Sequence, residues 1–522
     1  MSLVSRREFG HWAACAAGAL SLSGCAPWEA AHPERDLSHL ADQPPATPAE
    51  WRILNRLTFG PRRADLARLR RLGPDGWIDE QLRPATIAEA DDLLAALAEL
   101  ETLNADPEEA HDRETDWETA EAIAPIWQYV SKVGKPGRIP RVGQVRHELA
   151  QATVLRATFS NRALQAVLVE FWTDHFCIND AHDQCRWLKS ADDRHLRPLA
   201  LGKFRDLLSA SMHSPAMLCY LDNFENRRRD DATGAKPNEN YARELLELHT
   251  LGDTSAYTIR DIQEVARILT GWSVGSGWGE PYGEFVFRPD EHDDGAKVVL
   301  GQTYPAGQGL RDGEQLLEQL ANHPQTVAHL VKKLCARFVG VAPSSLHDRL
   351  AQTYRTSGGE ISAVLAELFR SPEFRDGTEP LLKRPFHFAV SALRGLGANT
   401  SGAGIVTHLE AMGQRPFAWA RPDGYPRDAE SWAEGFLPRW NFALALVQNQ
   451  IAETWIELES LDQFAQHRTP QQICRCLSER LLAKPLSETE LASLARLNAP
   501  RSPDALQQQL ALLLMSPQFQ WS

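Results

Sequence analysis

Apolar residues recur at helical spacing along most of the chain, which predicts a mainly α protein. Residues 49–72 form the first such stretch, entered at Pro48 and left at Gly73-Pro74. A short run at 76–82 follows, then longer helical stretches at 86–103 and 141–178. Between these, the acidic 104–118 and the Gly/Pro/Lys-rich 131–140 read as exposed loops, and the charged 225–237 as a mobile one. Further helices are predicted over 314–340, 344–374, 380–397, 404–413, 440–458, 469–482, 486–497 and 503–515. One β signal interrupts them: 284–287 and 297–300, either side of Asp293-Asp294-Gly295, predict a small hairpin. The expected architecture is a large multi-helical domain over 49–522, with sub-lobes 49–275 and 310–522 and a hairpin insertion near 284–300. An internal echo, 365–374 against 510–519 with 211–218 as a looser copy, reads as a helix that stops before a proline.

The polar positions concentrate between 171 and 300. Residues 239–251 should be helical with Gly252 after the last turn. At helical spacing Asn240, Arg243, Glu244 and Glu247 share one stripe, and His249 falls opposite, beside Ala242 and Leu245. Thr258 and Asp261 open a second helix as a capping box, with Ile262, Val265, Ala266 and Leu269 as its apolar face and Glu264 and Arg267 on the polar side. Two readings stay open. The stripe is a solvated face whose charges pair along the helix, Arg243 bridging Glu247. Alternatively the helices pack and their carboxylates converge with His175 on one cavity, as in helical bundles that hold metals. The Glu-x-x-His spacing of such bundles is absent, since Glu244 and His249 are five apart.

Composition narrows the partners. The formal charge is −14, which argues against nucleic acid, whose binding needs basic patches. The first residues change the picture more. Arg6-Arg7 precede a short, mildly apolar run that ends in Leu22-Ser23-Gly24-Cys25. That order reads as a twin-arginine export signal over 1–24, with Cys25 as the lipidated residue and 25–48 as a tether. By resemblance to lipoprotein sorting in two-membraned bacteria, Ala26 after that cysteine implies the outer membrane, on the periplasmic side. Cys177 and Cys185, near His175, Asp180 and His182, leave a metal cluster, one disulfide or buried thiols open.

The stretches 54–61, 76–82, 171–176, 202–208, 221–223, 238–252, 264–272, His292-Asp293, 332–334 and 421–425 resemble the bacterial domain-of-unknown-function-1800 family. The resemblance implies a secreted protein of undefined activity and a possible exported partner resembling sulfatases. It also weights the block 238–252 towards function. The expected site therefore has Glu239, Arg243 and Glu244 as catalytic groups and His175, Glu247 and His249 as ligands of a divalent metal. The expected role is an extracytoplasmic enzyme acting on cell-envelope or extracellular material. The other role is a non-catalytic scaffold or maturation partner of another exported protein.

Overall fold

The computed structural model describes residues 45–115, 143–182, 185–229, 236–432, 435–457, 469–482, 485–496 and 503–522. Arg6, Arg7, Cys25 and the segment 131–140 lie outside the described residues, as does part of 225–237.

The chain is mainly α, with three small two-stranded antiparallel sheets among the described residues. One buried apolar cluster runs through it from Ile53 to Phe519. Helix Ala163–His175 lies deep in that cluster, with Val167, Leu168, Phe171 and Trp172 fully buried. Each such side chain contributes about 1.5–3 kcal/mol on leaving water.

Most predicted helices are present, but turn chemistry divides the long ones. The stretch 49–72 is two helices, Pro48–Leu57 and Arg63–Gln81, because Gly60-Pro61 breaks the first. Within the second, the expected break falls at Gly73 (φ 70°, ψ 164°), and the expected short helix follows Pro74. Ser160-Asn161-Arg162 divides 141–178 into Gln144–Phe159 and Ala163–His175. Within 86–103 only Asp91–Ala98 is α-helix, and the acidic segment taken for a loop holds helix Pro107–Thr115. Glutamates at its first turn suit the helix dipole, which the loop reading ignored. Likewise 314–340 becomes Leu310–Ala321 and Pro324–Phe338, and 344–374 becomes Ser344–Ser357 and Ile361–Arg370.

The expected hairpin is corrected. Both of its strands exist, but they do not pair with each other. Phe285–Phe287 pairs with Trp272–Val274, and Lys297–Val299 pairs with Gln302–Tyr304. The Asp293-Asp294-Gly295 run is a connection between two hairpins.

The internal echo has one cause. Ser214, Ser371 and Ser516 each cap a short helix that starts at the following proline, accepting from the backbone N–H three residues on. The device stops one helix and starts the next.

Candidate functional site

The predicted stripe is a surface feature. The chain is α-helix over Asn240–Glu244 and then widens to a π-helix over Leu245–Thr250, where Leu251 N–H donates to the Leu246 carbonyl. Such wide turns cluster at functional sites. Arg243 pairs with Glu239 at 3.6 Å, and not with Glu247 as expected. Glu247 instead accepts from the Tyr257 hydroxyl at 3.2 Å. Burial and the neighbouring Glu247 raise the Glu244 carboxyl above its usual range. The Arg243 and Glu239 side chains are 45% and 37% exposed, so their pair is worth only about 0–1 kcal/mol.

Many of the polar positions that carry the resemblance hold backbone. Asn223 donates to the carbonyls of Leu269 and Trp272, and Asn226 to that of Ala266. Asn226 also accepts from the Asn238 N–H at 2.8 Å, and Asn240 reaches Asp222 at 3.2 Å. Arg267 clamps Glu264 at 2.7 Å and Asp293 at 2.8 Å. Lys297 and Asp312 form a buried pair at 2.6 Å beside His292. These contacts tie helix Ile259–Ile268 to the strands.

The buried side of the same region is different. His175 and His249 are 1% and 0% exposed, with ring centroids 6.3 Å apart. The Nε2 of His175 lies 3.0 Å from the His249 carbonyl. A carbonyl only accepts, so Nε2 carries the proton and Nδ1 is left as an acceptor. Lys333 Nζ donates to that Nδ1 at 2.8 Å. A second ring proton would point at the ammonium, so His175 stays neutral. Burial first, then Lys333, holds its pKa well below the ordinary value. Burial, with Arg427, lowers Lys333 to about 7 against the pull of Asp174. Asp174 goes the other way, up to about 6, because burial outweighs Arg427 and Lys333. It accepts from Arg384 at 2.6 Å and from Arg427 at 3.5 Å.

Three elements bring this layer together. On helix Pro324–Phe338, His329, Lys333 and Arg337 recur every fourth residue on one face. On helix Ala163–His175, Glu170 and Asp174 do the same. Arg384 caps helix Pro385–Leu396 and also binds Glu170. Two glycines make the approach possible. A Cβ on Gly252 (φ 70°) would lie 1.9 Å from His329 Nδ1, and one on Gly424 (φ 77°) would lie 2.2 Å from the Asp174 carbonyl. Beside the layer opens a cleft of about 470 Å³, lined among others by Phe59, Glu170, Arg337, Arg384, His387 and Arg427. A smaller cavity of about 40 Å³ lies against Asp174.

His175 and His249 therefore meet, while Glu239, Arg243, Glu244 and Glu247 stay on the half-exposed stripe. Among the described residues no group of three or more His, Cys, Asp or Glu is placed to hold a metal ion. His175, Glu247 and His249 thus do not converge as ligands. Both ring nitrogens of His249 lack a partner among the described residues. Cys177 and Cys185 are free buried thiols, with burial pushing Cys177 up to about 12. Sequence reasoning gave no role to Lys333, Arg337, Arg384 or Arg427. The four-residue recurrence of His329, Lys333 and Arg337 was the available signal.

No helix among the described residues is long and apolar enough to cross a membrane. No curated protein and no solved structure matches the chain. A family model described as "Protein of unknown function (DUF1800)" matches residues 52–521, which takes in nearly all of the helical domain and every element of the layer and the cleft. The chain belongs to the DUF1800 family.

Proposed function

We propose that this chain is an extracytoplasmic, lipid-anchored enzyme that acts on cell-envelope or extracellular material by proton transfer. The observation that carries the reading is the Lys333–His175 hydrogen bond of 2.8 Å, in the buried layer whose Arg337, Arg384 and Arg427 line the cleft. Lys333 near 7 and Asp174 near 6 exchange protons readily at neutral pH, as a general base and acid must. His175 positions Lys333 by offering only a lone pair. Export by the twin-arginine route and acylation at Cys25 are supported by Arg6-Arg7 and by the Leu22-to-Cys25 pattern. A divalent metal held by His175, Glu247 and His249 has no support from the geometry.

The test uses mature wild-type protein and Lys333→Met, incubated with isolated envelope polysaccharide and peptidoglycan fractions. Product release by the wild type and none by a folded Lys333→Met is the expected result. Equal release by both overturns the reading.

A second reading, a scaffold or maturation partner for another exported protein, draws on one observation. Leu437, Trp440 and Leu444 lie on one face of helix Phe436–Val447 and are 64%, 43% and 39% exposed. Aromatic and aliphatic stripes of this kind serve as contact surfaces. Co-purification of a defined exported protein that is lost in Trp440→Glu is the result this reading expects.

A further inference from the structure

Arg337, Arg384 and Arg427 line the cleft together with the acidic Glu170, Glu379 and Asp428. The carboxylates set among these cations are Glu170 and Asp174. Arg384 binds both, and Arg427 reaches Asp174 only at 3.5 Å. Arg337 makes no ion pair among the described residues. Its Nη1 donates to the Arg56 carbonyl at 3.4 Å, and its guanidinium rests over the Phe338 ring at 5.0 Å. His387 Nε2, in the same wall, also has no partner among the described residues. At the rim Glu379 is exposed, and Asp428 spends its oxygens on the N–H and hydroxyl of Ser431, at 2.8 and 2.9 Å.

A cation drawn out of water without a counter-charge is costly, so Arg337 is incomplete by itself. Guanidinium forks match the paired oxygens of carboxylate, sulfate and phosphate groups. The volume, about 470 Å³, is that of a small-molecule site. We infer that the cleft binds an anionic group, a carboxylate, sulfate ester or phosphate ester, with Arg337 as the residue whose fork the ligand completes. This deepens the preceding reading by naming its substrate class and rests on that reading for the word substrate; the binding itself does not require turnover.

Isothermal titration of the mature protein with sulfate, phosphate, galacturonate and neutral galactose, at constant ionic strength, tests it. Saturable one-to-one binding of at least one anion, and none of galactose, is expected. The anion that binds identifies the ester or acid. Arg337→Met should weaken that binding about ten-fold, the loss of roughly one bidentate contact. Arg355→Met, on the exposed face of helix Ser344–Ser357, should bind as the wild type does. If Arg337→Met does not fold, Arg337→Lys replaces it, and its loss of the planar fork should still weaken binding several-fold. Absence of saturable binding to all three anions, or unchanged affinity in the Arg337 variant, overturns the inference. Anion binding that persists while Lys333→Met keeps full turnover would sink the proton-transfer role of Lys333 alone.

Discussion

The stripe Glu239–Arg243–Glu244–Glu247 and the layer Asp174–His175–Lys333 hold similar side chains in very different surroundings. On the stripe, charges half in water pair loosely, and the Arg243–Glu239 distance is 3.6 Å. In the layer, burial moves Lys333 down to about 7 and Asp174 up to about 6. Sequence composition does not separate the two regions. The difference lies in which helix face meets the apolar cluster, and burial turns ordinary acids and bases into groups that titrate near neutrality.

The largest effect should come from breaking the layer. Asp174→Leu leaves Arg384 and Arg427 without that carboxylate and should cost about 3–5 kcal/mol in chemical denaturation. A loss below about 1 kcal/mol would mean that Asp174 behaves like a stripe residue. Gly252→Ala should cost more than about 1 kcal/mol, because its φ is 70° and the new Cβ would strike His329. A neutral Gly252→Ala would show that His329 is not held against that turn.

The pH dependence of stability sharpens the comparison. Folded Lys333 sheds its proton near 7, whereas the unfolded side chain keeps it up to about 10.5. Between those values the unfolded state binds more protons, so stability should rise with pH, and Lys333→Met should flatten that slope. Asp174 acts oppositely. The folded state keeps a proton between 3.8 and about 6 that the unfolded state releases, so stability should fall as pH rises through that window. Denaturation curves across pH 4 to 10 check both signs. The smallest effects belong to the stripe: Glu239→Gln, Arg243→Met and Glu247→Gln should each stay within about 0.5 kcal/mol and leave any turnover intact.

The helical class and most helices could be read from periodicity, as in Pro470–Leu481, Glu488–Arg496 and Pro503–Met515. Breaks depended on single turns such as Gly60-Pro61 and Ser160-Asn161-Arg162. Strand pairing failed because three-residue strands carry too little alternation to choose a partner. Within the site, His175 and His249 could be picked out because they sit in polar blocks. Lys333 was marked only by its four-residue recurrence with His329 and Arg337, and Arg384 and Arg427 not at all, since they lie far from residue 174 in the chain and only the packed fold brings them together. Asn223 and Asn238 lie in the stretches that carry the resemblance, yet their side chains hold backbone, and a side chain that holds backbone looks as specific in sequence as one that holds substrate.

The central claim is that Lys333 and His175 form one hydrogen-bonded acid–base unit inside the fold. The most direct measurement is a nitrogen-detected NMR pH titration of protein labelled at histidine and lysine, assigned with His175→Gln and Lys333→Met. A neutral Nε2–H tautomer of His175 that does not titrate near 6.5, together with a Lys333 ammonium that titrates near 7, is the predicted result. A His175 ring that protonates near 6.5 beside a Lys333 that titrates near 10.5 would contradict it.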